Sequence, residues 1–476
     1  MIKRFISTAA AMVALISTTS VSADEADRRQ ALFGDVHIHT QLSFDAYIFG
    51  IRRTPDDAYR YALGETLRHA AGYDIALKGG PLDFYAVTDH AEYLGVLPTM
   101  DNSASSMSTI ASAEGMFSPV FTDIIDAFGK VFQSVTDGKE IEDMKAPGIV
   151  KSGWQEVQAA ADRYYRPELP FGAMDSTNPE DLWAWLDASR DEGMDGIAIP
   201  HNSNLSDGLM FQLTDFNGNP ITSEYAQARM RNEPIVEMTQ VKGTSDTHPA
   251  LSPNDEFAGF EIYETLLGTD ITGKTQGAYV REALQNGLKI EEEIGVNPYK
   301  FGLIGSSDSH NAGGPVEEDH FFGKTGLVDG TPDRRRAFVV PGEEDLTGAA
   351  ASSFFQWSAA GLAGVWAERN NREDIFAAMR RKETFATSGP RIKVRIFAGY
   401  DYPDGVFERS DFAALAYAQG VPMGGDLALE STRSPTFLVQ ASRDAHSAGL
   451  QRLQIIRGWV EEGELKETIF DIACDT

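Results

Sequence analysis

The 476-residue chain carries nine histidines, and five of them, His37, His39, His90, His201 and His310, fall at the ends of short apolar runs beside aspartate, serine or asparagine. His37 and His39 are two apart on an expected strand. Side chains two apart on a strand share a face, so both imidazoles can serve one metal ion. The segments Thr88-Asp89-His90, Pro200-His201-Asn202 and Ser307-Asp308-Ser309-His310 repeat the same strand-end placement. Taken singly, each reads at least as well as a core histidine satisfied by a hydrogen bond. Taken together, they point to a shared centre. An imidazole and carboxylate set without thiolate suits Zn²⁺, Mn²⁺ or Fe²⁺. The single cysteine, Cys474, lies close to the C-terminus, so neither a thiolate metal site nor a cysteine nucleophile is supported.

Positioning such residues takes an α/β framework. Strands are expected at Leu32 to His39, Asp83 to His90, Gly196 to His201, Pro234 to Gln240 and Phe301 to Ser307. Helices are expected at Pro55 to Leu63, Trp154 to Arg163, Pro179 to Arg190 and Gln276 to Ile294, with Pro55 and Pro179 suited to a first helical turn. The alternation predicts a largely parallel sheet, whose carboxyl-end crevice is where ligands gather. Residues 98–150 break the rhythm with a Ser/Ala/Met-rich stretch and a helix from Pro119 to Val135, read as an insertion over the mouth of the fold or as a surface decoration. After residue 390 the pattern becomes alternating strands, a small β-rich unit over 391–476. Trp154, Trp183 and Trp185 read as packing residues, and Arg334 to Arg336 as a solvated charge run.

Composition narrows the function. With 41 Lys+Arg against 71 Asp+Glu the net charge is −30, which repels phosphate backbones and argues against general nucleic-acid binding. An anionic substrate therefore needs a local cation. The first 23 residues have Lys3 and Arg4, an apolar run and a small-residue end at Val21-Ser22-Ala23, the layout of a secretory signal cut after Ala23. The expected location is periplasmic or secreted, with no membrane attachment after cleavage.

The segments FGDVHIHT, FYAVTDHAEYLG, IPHNSNLS and GSSDSHN, with the later GLAGVWAERNNREDIFAAMRRKETFATSGPRI, resemble the DUF3604 family within the PHP (polymerase and histidinol phosphatase) superfamily, over nearly all of residues 30–395. The resemblance implies a distorted (β/α)₇ barrel with two or three divalent metal ions and a hydrolase acting on a small anionic ester. By that resemblance His37, His39 and Asp308 hold one metal, His90 and His310 serve another, and His201 completes the middle site. Asp45 stands where many PHP proteins place a further histidine, as a ligand or equally as a helix-capping or loop aspartate. The segment Glu237-Met238-Thr239-Gln240-Val241-Lys242-Gly243-Thr244-Ser245 resembles a family motif, with Lys242 as anchor for a substrate anion or a solvated lysine. Gln240 and Asn202 are placed to orient substrate or water.

The chain departs from the family between Arg163 and Trp183. Pro167 runs directly into Glu168-Leu169-Pro170-Phe171, where relatives carry one or two further strands with a metal-bridging glutamate and a histidine. Glu156 and Glu168 are poor replacements, one in an expected helix and the other in a short connection. The expectation is a phosphoesterase working through hydroxide held between two metals. The alternatives are a sulfate-ester hydrolase on the same residues, or an impaired metal- or anion-binding remnant with an incomplete barrel. The oligomeric state is open.

Overall fold

The computed structural model describes residues 29–161, 171–267, 269, 271–336, 356–430 and 432–474. The expected leader, Arg163 and Glu168 lie outside the described residues. The first strand, Gln30–Ile38, pairs in parallel with Phe84–Val87 and antiparallel with Leu362–Ala367, which in turn pairs antiparallel with Thr384–Thr387. A second sheet sets Ile235–Gln240 parallel to Gly302–Gly305 and antiparallel to the short Gly243–Thr244.

Bonds beyond the regular ladders join the two sheets at their carboxyl ends. Ile38 bridges Ser309 in parallel, His39 N donates to Ser309 O at 3.0 Å, and Asp308 N donates to His37 O at 2.8 Å. On the far side Glu237 N donates to Pro200 O at 3.0 Å and Ala198 N to Asn232 O at 2.8 Å. Parallel contacts thus link 84–88 to 30–39, the tip 37–39 to 308–309, and 302–305 to 235–239. Residues 198–200 are bonded beside 232–237, while the antiparallel Leu362–Ala367 takes the other edge of residues 30–34.

In place of the expected largely parallel sheet there are several small sheets, two mixed and three antiparallel, and among the described residues no barrel closes. Gly196 to His201 is not a strand. Among the described residues it exchanges isolated backbone bonds with 232–237 rather than a ladder. Residues 171–178 are turns and loop leading to the helix Pro179–Asp191, so the described part of the shortened connection supplies no strand.

The elements form where local chemistry favours them. Thr54 and Asp57 make a reciprocal capping box at the start of Pro55–Ala62, and the Asn178 side chain accepts from Glu180 N ahead of Pro179–Asp191. Leu362–Ala367 is buried at every position, as expected of a strand covered on both faces. It packs with Leu32, Ile235 and Ile304 in one apolar cluster, where each large side chain contributes about 1.5–3 kcal/mol of burial. Trp183 is buried and donates from Nε1 to Glu233 Oε1 at 2.9 Å. Arg335 corrects the solvated-run reading, since it donates to Asp329 O at 2.8 Å and lies over the Phe321 ring.

The insertion is helical at Phe121–Thr136 and Pro147–Ala160. Its apolar residues Ala127, Val131 and Met144 share a core with Phe44, Tyr47, Ile48 and Phe49. Those residues directly follow the His37-His39 strand end, so the insertion braces the segment that carries Asp45. The C-terminal unit comprises a three-stranded antiparallel sheet, Lys393–Gly399 between Gly420–Pro422 and Thr436–Ser442, and a hairpin, Arg452–Glu461 with Glu464–Cys474. Cys474 is exposed and free. No helix among the described residues is long and apolar enough to cross a membrane.

Candidate metal centre

The backbone bonds between 37–39 and 308–312 set the histidine pair against the Asp308 turn. Asp308 itself has φ +53, a left-handed conformation that a non-glycine residue adopts only when its surroundings hold it there. His37 Nε2 lies 3.7 Å and His39 Nε2 3.4 Å from Asp308 Oδ1. His310 Nε2 is 3.4 Å from the same oxygen and 3.4 Å from Asp45 Oδ2. His90 Nε2 lies 3.2 Å from Asp45 Oδ2. Two sets of donor atoms close to within 4.8 Å of one another, His37, His39 and Asp308, and His39, Asp45 and His90. His39 belongs to both.

The outer nitrogens are tied down in the manner of metal-ligating histidines. His37 Nδ1 is 2.8 Å from Glu237 Oε2, and His39 Nδ1 is 3.0 Å from Ser43 Oγ. Both Nε2 atoms are thereby turned inward. Ser43 Oγ also donates to Asp45 Oδ1 at 2.8 Å, while His90 N donates to Ser43 Oγ at 3.2 Å. One hydroxyl thus aligns three of the donor residues. Asp45 is buried, and its side chain faces the histidines rather than capping a helix. The donors present fit a divalent ion in type, in convergence and in the support behind them.

Charge in the centre follows from burial and crowding. Burial and then the neighbouring His310 hold His39 well below its usual value. Against their own burial, His310 and His90 pull Asp45 well below the carboxylate range, and Asp45 with Glu92 lifts His90 to about 10. Glu237 is also buried, yet His37 beside it keeps its pKa low and the carboxylate ionised. A cation bound here replaces protons, as metal ligands must be deprotonated.

The other sequence candidates are gathered at the same place. Lys242 is buried, and its Nζ is ion-paired with Asp308 Oδ2, so the solvated alternative is excluded. Gln240 Nε2 donates to Asp308 Oδ2 at 2.7 Å and to Asn202 Oδ1 at 2.6 Å. His201 stands beside His37, ring centroids 4.6 Å apart, but it is exposed and belongs to neither donor set.

Three contributors were missed in the sequence. Lys324 is buried, with Nζ 3.2 Å from Asp308 Oδ1 and 2.7 Å from His310 Nε2. Burial pulls both lysines down, Lys324 to about 7, while the nearby carboxylates of Asp45 and Glu237 act in the opposite direction. Glu92 Oε2 lies 3.6 Å from His90 Nδ1, and Ser43 is the shared hydroxyl. The signal for Lys324 is slight, a lone lysine after Gly323.

The profile of a family described as "Protein of unknown function (DUF3604)" matches residues 26–169 and 166–476. Its two stretches meet in the shortened connection. No curated protein and no solved structure matches the chain.

Proposed function

The chain belongs to the DUF3604 family, and on that premise we propose that it is a metal-dependent ester hydrolase of PHP type whose substrate is a small phosphoester. The observation that carries this reading is the convergence of His37, His39, His90 and His310 on the carboxylates of Asp45 and Asp308, each 3.4 Å from His310 Nε2. Four imidazoles, each able to serve one ion, and two carboxylates suit a pair of divalent ions, Mn²⁺, Zn²⁺ or Fe²⁺, and such a pair would supply Lewis acidity toward both the attacking and the leaving oxygen. The parallel segments, with candidate donors at their carboxyl ends, are consistent with a distorted PHP barrel.

The chain's own residues do the rest. Glu237 and Ser43 fix the tautomer and orientation of His37 and His39. Gln240 and Asn202 hold Asp308 in register. Lys242 brings positive charge to a surface otherwise dominated by carboxylates, and so receives the ester's anionic oxygens. His201, exposed at the rim beside His37 and with its pKa lowered to about 4, is neutral and placed to accept a proton from the attacking water.

Metal analysis of the purified protein, followed by a panel of p-nitrophenyl phosphates and p-nitrophenyl sulfate with added Mn²⁺, tests the reading. At least two ions per chain and metal-dependent phosphoester cleavage are expected. Preferential sulfate-ester cleavage would transfer the site to sulfatase chemistry. A second reading is favoured by the position where the family match divides, 166–169. A chain lacking its bridging carboxylate holds one ion or none and turns over no ester.

A further inference from the structure

Two buried lysines reach Asp308 from different parts of the fold. Lys242 leaves the end of Ile235–Gln240, and Lys324 lies in the loop after Gly302–Gly305. They pair with opposite oxygens of the same carboxylate, Lys242 with Oδ2 and Lys324 with Oδ1. Their residues are only 5% and 3% exposed, so neither ammonium is a solvated surface charge.

Both are locked at the backbone. Lys242 N donates to Gln240 Oε1 at 2.7 Å, and Lys242 O accepts from Asn204 Nδ2 at 3.1 Å. Lys324 N donates to Asp329 Oδ2 at 2.7 Å, and Lys324 O accepts from His310 N at 2.8 Å. Each lysine also adjoins a glycine in the left-handed region, Gly243 at φ +86 and Gly323 at φ +90. A Cβ at Gly243 would meet the Glu261 carbonyl, and one at Gly323 would lie 2.7 Å from Asp329 O. These turns carry the lysines inward toward Asp308.

Buried charge is tolerated when it is paired. Among the described residues, Asp308 is the carboxylate within ion-pair distance of either lysine, one negative charge against two positive. Asp308 is also a donor of the His37 and His39 set. Once it serves a cation, neither ammonium keeps, among the described residues, a free carboxylate within ion-pair distance.

We propose that Lys242 and Lys324 form a two-ammonium cradle for a terminal, doubly charged phosphate, so that the substrates are phosphomonoesters rather than phosphodiesters or sulfate esters. This deepens the hydrolase reading and rests on it for the bond that is cleaved. A monoester near neutral pH carries close to two negative charges and three terminal oxygens. A diester or a sulfate ester carries one charge, which leaves an ammonium of the cradle unpaired.

The test uses the full, metal-loaded protein at about pH 7, where a phosphomonoester is largely dianionic. Calorimetry measures inorganic phosphate and methyl sulfate, a singly charged sulfate ester, and kinetics compare p-nitrophenyl phosphate with bis(p-nitrophenyl) phosphate. Both are repeated on Lys324→Met and Lys242→Met. Phosphate is expected to bind at least about tenfold more tightly than methyl sulfate, and either variant to lose about 10- to 100-fold in phosphate affinity. Monoester kcat/KM is expected to fall at least about tenfold more than diester kcat/KM.

Equal binding of the two anions, or equal loss on both esters, overturns the cradle even if ester is hydrolysed. Loss of metal from Lys324→Met also overturns it, because the lysine would then be a prop for Asp308. Phosphate preference that depends on both lysines, with no ester turned over, keeps the cradle and removes the hydrolase reading.

Discussion

Oε2 of Glu237 lies 2.8 Å from Nδ1 of His37, across 200 residues of sequence. This contact decides which ring nitrogen faces Asp308. The ionised carboxylate holds the Nδ1 proton, leaving Nε2 as the donor and raising its basicity. Glu237→Gln keeps the shape but loses the charge. Metal affinity at this set is expected to fall about 10- to 100-fold, read by competition with a chromogenic chelator. Unchanged affinity would make Glu237 a bystander.

The two donor sets give a stoichiometric expectation. His90→Ala removes a donor from one set only, and the protein should retain the ion held by His37, His39 and Asp308. His37→Ala removes a donor of that set and should lose this ion. Elemental analysis after gel filtration checks this pair, and equal metal content in the two variants would refute the assignment of the retained ion to His37, His39 and Asp308.

Lys242→Ala is expected to raise KM for an anionic ester, at a cost of about 1.5–3 kcal/mol in kcat/KM for the lost charge-assisted hydrogen bond. Metal content should be retained, since lysine is not among the donors of either set. An unchanged kcat/KM for every hydrolysed substrate would leave the anion to the metals alone.

His69 offers a pH dependence away from the donor residues. It is buried and stacked on Tyr73 at 4.6 Å, and its Nδ1 accepts from Ala71 N at 3.1 Å. Burial lowers its pKa to about 4, against about 6.5 for an unfolded histidine. The unfolded chain therefore takes up a proton before the folded one does. The stabilisation is fully present above about 6.5 and is lost as pH falls toward 4, by about 1.4 kcal/mol per unit. Chemical denaturation across that window should show a steeper loss for the parent than for His69→Gln. Parallel slopes would place the titration elsewhere.

The alternation of His37 and His39, and the histidines or aspartates at or just beyond three strand ends, were legible because strand geometry is local. Period two sends both imidazoles to one face, and strand ends deliver them to a common edge. Most elements were legible for the same reason. Thr54, Pro55, Asn178 and Pro179 mark helix starts through their own dihedrals and side-chain acceptors. The expected strand at Gly196 to His201 failed because a strand is defined by neighbours on its edges, and its edges are set by distant segments.

The sequence by itself determined which residue types were available for chemistry, the net charge that demands a local cation, and the strand-end addresses of His37, His39, His90 and Asp308. Only the tertiary structure decided that His39 is shared, that Asp45 turns inward rather than capping a helix, and that Glu237 orients His37. It also decided that Lys324 joins Lys242 at Asp308. These are contacts between segments far apart in the chain, and no local period or spacing encodes them. They exist because the parallel segments bring their carboxyl ends to one edge, where burial leaves each ionisable group a partner within reach or an electrostatic cost.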